Sequence, residues 1–107
     1  MSKPNKKRYK LSLVRAQYAE AVGGETVEME LNNGEIVTFP HPLFADDEWA
    51  ARVDEAQNNG AKARAILGED QYEQLRAAGN EDVEVSLTLM ALNEDSQGQL
   101  KKRPTLR

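Results

Sequence analysis

The side chain best suited to acid–base or metal chemistry in this sequence is the single histidine, His41, which lies between Pro40 and Pro42. A proton-transfer or metal-binding role would need partner groups. The nearest acids, residues 46–48, are better explained as first-turn acids of a following helix. We therefore interpret His41 as structural. The absence of cysteine excludes disulfides, thiolate zinc sites and thiol nucleophiles, and it is consistent with a reducing cytosol.

Other residue types that support catalysis are present, but not in a catalytic pattern. The glycines never approach the spacing of a dinucleotide-binding or phosphate loop, and the acid pair Glu69-Asp70 fits a helix start better than the paired carboxylates of a glycosidase. We expect no catalytic, cofactor-binding or metal-binding residues and no enzymatic activity. A chain of 107 residues more naturally offers a shallow binding surface. The serines fall in no nucleophile-elbow motif: Ser2, Ser12, Ser86 and Ser96.

The formal net charge of −4 conceals a division along the chain. Residues 1–10 carry five Lys/Arg and residues 101–107 carry four, whereas the five Lys/Arg and 18 Asp/Glu of residues 11–100 give that body a charge of −13. Such a body should attract a basic partner and repel nucleic acid. We expect residues 1–10 to be a basic disordered tail, residues 11–93 to form one globular domain and residues 94–107 to be a flexible basic tail.

Local patterns predict an α+β, mostly α fold, with an N-terminal helix and a β-hairpin followed by several short helices. Apolar residues at spacings of three and four predict a helix over residues 11–22. Alternation predicts strands over residues 26–31 and 35–39. Asn33-Gly34 between them would supply the two positive-φ residues of a type I′ turn. Because a lone hairpin is marginal in water, its apolar face should pack on the helices.

Three short helices are predicted after the prolines at positions 40 and 42, which end the second strand. Acids at residues 46–48 begin the first helix, and Asn58-Asn59-Gly60 stops it. The next covers residues 61–67, and the third begins at Glu69 and ends at Gly79.

The segment over residues 80–93 fits either a strand or a helix, and we favour a helix with Asn80 as its N-cap. A helix here has two apolar triplets on nearly opposite faces, so one can join the core while the other is left for another surface. The first triplet is Val83, Leu87 and Met90, and the second is Val85, Leu89 and Leu92.

Five runs in residues 27–92 follow one another in a characteristic order: Leu31-Asn32-Asn33-Gly34-Glu35-Ile36-Val37-Thr38-Phe39, Pro40-His41-Pro42-Leu43, Glu48-Trp49, Ile66-Leu67-Gly68-Glu69-Asp70-Gln71-Tyr72-Glu73-Gln74-Leu75 and Ala77-Ala78-Gly79. In these runs and their order, residues 27–92 resemble the small tail assembly chaperones of long-tailed (siphovirus-type) phages of actinobacteria. The resemblance implies a non-catalytic protein that binds the long, helical, aggregation-prone tape measure protein until the tail tube polymerises around it. It also implies a longer form made by translational frameshifting near the gene's end, where Lys101-Lys102 could be encoded by an A-rich heptamer. The lysine-rich start is not explained by it.

The partner expected from this resemblance is the tape measure protein, with a frameshifted longer form and a homo-oligomer left open. We expect the chain in the host cytoplasm, unattached to membrane and absent from the mature virion. Two other classes stay open: a small structural tail or connector protein, and a nucleic-acid-associated regulator acting through the basic tails. The candidate partner-binding residues are Phe44, Trp49, Leu87, Leu89, Met90 and Leu92.

Overall fold

The computed structural model describes residues 7–102 and confirms the predicted α+β, mostly α fold. Residues 1–6 and 103–107, which belong to the two predicted tails, lie outside the described residues. The elements in chain order are α1 (Leu11–Ala21), β1 (Thr26–Glu30), β2 (Ile36–Pro40), α2 (Asp47–Glu55), α3 (Asn59–Leu67), α4 (Glu69–Ala77) and α5 (Asp82–Lys102).

The hairpin turn has a different type from the predicted one. Leu31 and Glu35 close a three-residue loop, in which Gly34 donates its N–H to the Leu31 carbonyl at 2.9 Å and Leu31 donates to the Glu35 carbonyl at 2.8 Å. Gly34 has φ of 89°, whereas no described residue other than glycine has a positive φ. The type I′ prediction is therefore wrong. A type I turn followed by a left-handed glycine fits these bonds, because it needs positive φ only at Gly34.

The hairpin places one face on the helices, as predicted. β1 and β2 pair antiparallel, with Val27 opposite Phe39 and Met29 opposite Val37. The Phe39 ring stacks on the ring of Trp49, with 6.4 Å between centroids, and Trp49 donates its indole N–H to the Ile66 carbonyl at 3.1 Å. The buried core consists of Leu31, Val37, Phe39, Trp49, Val53, Ala63, Ile66, Leu67, Leu75 and Val85.

Two of the three middle helices, α2 and α3, begin at polar side-chain caps. Asp46 accepts the Trp49 N–H at 2.8 Å at the start of α2, as predicted from its acids. α2 already ends at Glu55, so Asn58 does not have its predicted role in stopping α2. It caps α3 instead by accepting the Ala61 N–H at 2.8 Å, so α3 begins two residues before the predicted start. α4 begins at Glu69 and is followed by left-handed Gly79, as predicted.

Residues 82–102 form one long helix, so the helical alternative for this segment is confirmed, but both of its predicted ends are wrong. Asn80 does not cap α5: it accepts the Asn32 N–H at 2.8 Å and thereby ties the hairpin tip to the helix start. The helix also continues past residue 93 through Lys102. Ser96 is buried there, with its hydroxyl 2.9 Å from Nε2 of His41, which anchors a stretch of poor helix formers.

Candidate functional site

The two apolar triplets of α5 have different environments. Val85 is 1% exposed in the core, and Leu89 and Leu92 pack against that core. Leu87 and Met90 are 55% and 63% exposed. We call these two residues the α5 ridge. Of the candidate partner-binding residues on this helix, the ridge is the most open to a partner, whereas Leu89 and Leu92 are half-buried against the core.

The two candidate aromatic residues also differ. Trp49 is 8% exposed, and both its ring and its indole N–H are used inside the core. Phe44 is half-buried and lines a surface groove of about 410 Å³ between α1 and the turn after β2. We call this the α1 groove; its lining residues are Leu11, Val14, Arg15, Tyr18, Leu43 and Phe44.

The α1 groove is apolar because α1 is incompletely covered. No residue of α1 is buried, and Leu11 is 79% exposed although its spacing placed it on the apolar stripe of the helix. Leu13 is also exposed at 59%, and Leu43 on the other wall of the groove is exposed at 50%. Sequence reasoning missed these three residues. The available signal was that Leu11 and Leu13 are two positions apart, so one helix face cannot bury both.

An ion pair fixes the polar end of the groove. The Arg15 guanidinium donates two hydrogen bonds to the Glu25 carboxylate, at 2.8 and 2.7 Å, and also lies 5.0 Å from the centroid of the Phe44 ring. The hydrogen bonds from Arg15 hold the pKa of the Glu25 carboxyl below its ordinary value. The planar cation therefore links α1 to Phe44 and to the residue preceding β1.

His41 and Ser96 have the separation of a base and a nucleophile, 2.9 Å, but the hydrogen bonds define a structural pair. The Leu43 N–H donates to Nδ1 of His41 at 3.1 Å, so in the neutral ring Nε2 carries the proton and donates it to the Ser96 hydroxyl. A general base would instead accept from that hydroxyl. His41 is 2% exposed, and burial lowers its pKa. Sequence reasoning placed Ser96 in the tail and missed this contact.

The described part of the chain shows neither a metal-binding cluster nor a membrane-spanning helix. Residues 7–102 contain no group of three or more His, Asp or Glu side chains arranged to hold a metal ion. None of the helices in the same range combines the length and the apolar character that a membrane span requires.

The chain matches no protein-family model, and comparisons with curated proteins and with solved structures found no similar protein.

Proposed function

We propose that this chain is a phage tail assembly chaperone that binds the tape measure protein and keeps it in solution until the tail tube forms. Two things support the proposal: the resemblance over residues 27–92, and the exposed apolar side chains at the α5 ridge and the α1 groove of an acidic body. The observation that carries it is the α5 ridge, Leu87 and Met90, on a helix whose other face is anchored in the core by Val85.

The physical role of each part follows from what an unassembled tape measure protein exposes. Apolar stripes on long helices aggregate in water, and a rigid apolar ridge can cover such a stripe as one helix packs on another. Because the ridge has only two residues, the contact stays weak enough to be displaced when tail tube subunits arrive. The charge of −13 over residues 11–100 keeps the complex soluble and favours encounter with basic segments.

The experiment is co-expression of the chain with the tape measure protein of the same phage, followed by separation of soluble and pelleted fractions. The wild-type chain should hold the tape measure protein in the soluble fraction. The double substitution Leu87→Asp with Met90→Asp should return it to the pellet. Burying the exposed halves of the two side chains is worth about 2–3 kcal/mol, so affinity should fall by at least about 30-fold.

Two further measurements make the outcome decisive. The control variant Gln74→Asp adds a carboxylate at an exposed position of α4 and should leave tape measure solubility unchanged. Circular dichroism should show that the double variant is folded, since both its sites are exposed. A tape measure protein that is soluble alone, or that pellets equally with the wild-type chain, overturns the proposal. Recovery of the chain from purified virions would instead favour a structural tail component.

A further inference from the structure

The outer edge of β1 is open, and the ladder shows which of its residues face outward. His41 donates its N–H to the Glu25 carbonyl and Leu31 donates to the Glu35 carbonyl, each at 2.8 Å, on either side of the paired strands. Residues in an antiparallel strand direct their backbone groups alternately toward and away from the partner. The odd-numbered residues of β1 therefore bond to β2, and the even-numbered residues direct their N–H and C=O groups to the outer edge.

Those outward backbone groups belong to Thr26, Glu28 and Glu30. Within residues 7–102 no hydrogen bond satisfies these outward N–H and C=O groups. The outer edge of β2, by contrast, is closed by a side-chain amide. Gln71 of α4 accepts the Thr38 N–H at 2.9 Å and donates to the Thr38 carbonyl at 2.6 Å, which closes the outer edge of β2. β1 contains no proline or lysine, two of the residue types that natural edge strands use against pairing.

The open stretch has defined ends and a floor. At the hairpin tip, the Asn32 N–H is already donated to the Asn80 side chain at 2.8 Å, so the free edge ends there. At its other end a groove of about 420 Å³ runs beside the strand, lined by Val22, Gly23, Thr26, Val27, Glu28 and Leu92. The five residues of β1 offer about 17 Å of free edge, which matches a short extended peptide.

Charge and polarity define the sequence that this edge would accept. Glu28 and Glu30 are exposed on the solvent face, whereas Val27 and Met29 face the core. Side chains of an added strand would lie alternately beside the carboxylates and beside the apolar floor at Val27 and Leu92. A basic residue at every second position, with apolar residues between, satisfies both. A second copy fits poorly, because antiparallel pairing of two β1 strands would bring the same carboxylates together.

We propose that the outer edge of β1 binds an extended segment of alternating basic and apolar residues by strand addition. This inference does not rest on the chaperone proposal, because the α5 ridge is a separate surface. The even-numbered residues of β1 supply the backbone hydrogen bonds, Glu28 and Glu30 select basic side chains, and Val27 and Leu92 accept the apolar ones.

The test uses the full chain and the peptide acetyl-Lys-Val-Lys-Val-Lys-Val-Lys-amide, with binding measured by calorimetry and amide hydrogen exchange by NMR. In the free chain the amides of Thr26, Glu28 and Glu30 should exchange rapidly, and those of Val27 and Met29 slowly. Binding of the peptide should slow exchange at the amides of Thr26, Glu28 and Glu30. A peptide of the same composition with its lysines grouped should bind at least about 10-fold more weakly, because it cannot match the alternation.

Two N-methylated peptides separate strand addition from charge attraction. In antiparallel addition the lysine N–H groups face β1 and the valine N–H groups face away; parallel addition reverses this. Methylation of one set should weaken binding by about 10-fold or more, and methylation of the other set by less than about 2-fold. The substitution Glu28→Gln with Glu30→Gln should weaken binding of the lysine peptide while the free chain keeps its exchange pattern.

Several outcomes would overturn the inference. These are no binding, equal binding of the grouped peptide, equal loss with both methylated peptides, or unchanged exchange at Thr26, Glu28 and Glu30. Self-association that slows the same three amides without peptide would assign the edge to a second copy and would also overturn it.

Discussion

Shortening one side chain on each face of α5 tests how the helix is oriented in the fold. Val85→Ala removes two methyl groups from a residue that is 1% exposed. Leu87→Ala, two positions further along the helix, shortens a residue that is 55% exposed. Loss of the two buried methyl groups costs about 1.6 kcal/mol, and the cavity left behind adds about 1 kcal/mol. We therefore expect Val85→Ala to lower the free energy of unfolding by about 1.5–3 kcal/mol.

Leu87→Ala should cost less than about 1 kcal/mol, because the deleted atoms are half in water and leave no cavity. Urea unfolding followed by circular dichroism separates the two variants. With an m-value of about 1.5 kcal/mol per molar, the midpoint should fall by about 1–2 M for Val85→Ala and by less than about 0.7 M for Leu87→Ala. Equal losses, or a larger loss for Leu87→Ala, would refute the assignment of Val85 to the core and of Leu87 to the ridge.

Three further predictions concern other parts of the chain. Burial lowers the pKa of His41 below 6.5 in the folded chain, so the unfolded chain binds a proton at a higher pH than the folded chain does. The free energy of unfolding should therefore fall as the pH drops below about 6.5, by at most about 1.4 kcal/mol per pH unit. Unfolding titrations at pH 7.5 and 5.5 should show this loss, and His41→Gln should remove it. Gln71→Ala should lower the free energy of unfolding by about 1–3 kcal/mol and speed hydrogen exchange of the Thr38 amide, since both backbone groups of Thr38 lose their partner. A loss of unfolding free energy below about 0.5 kcal/mol would contradict this role of Gln71. Expression of the gene with its native downstream sequence should yield a minor longer product, which synonymous recoding of Lys101 and Lys102 abolishes; one unchanged band would refute the frameshift.

The hairpin shows why one strong local signal failed. Asn33-Gly34 favours a two-residue turn, but that turn would place Val27 opposite Pro40 and Met29 opposite Thr38. The observed register pairs Val27 with Phe39 instead, so the apolar residues of both strands share one face. Burial of that face outweighs turn preference, because a shift of one residue would expose half of it. Apart from Ile36, which is 48% exposed, the apolar positions of the two predicted strands are odd-numbered, so the sequence already contained the information needed for a three-residue loop.

The ends of α5 could not be predicted because contacts distant in sequence determine them. Asn80 has the side chain of an N-cap, yet it bonds to Asn32, which is 48 residues away. Ser96 and Gly98 lower local helix propensity, yet the helix continues, and Ser96 is buried there in a hydrogen bond with His41, 55 residues away in the sequence. The start of α2 at Asp46, by contrast, depends on a residue only three positions away and was predicted correctly.

The candidate site was predictable only to the level of two opposite faces. Spacing separated Leu87 and Met90 from Leu89 and Leu92, but helical periodicity does not say which face of α5 packs on α3. The α1 groove was missed because the apolar spacing of α1 suggested burial. In the fold, the turn carrying Leu43 covers this helix only in part.

Methionine methyl NMR tests the central claim, that the α5 ridge binds the tape measure protein, most directly. The chain has three methionines, of which Met90 lies on the ridge and Met29 faces the core from β1. Spectra of the chain labelled with ¹³C at its methionine methyl groups are recorded for the free chain and for the co-purified complex. Met→Leu variants assign each signal to its residue. We predict that the Met90 signal shifts and broadens in the complex while the Met29 signal keeps its position. An unchanged Met90 signal in a stable complex would contradict the claim.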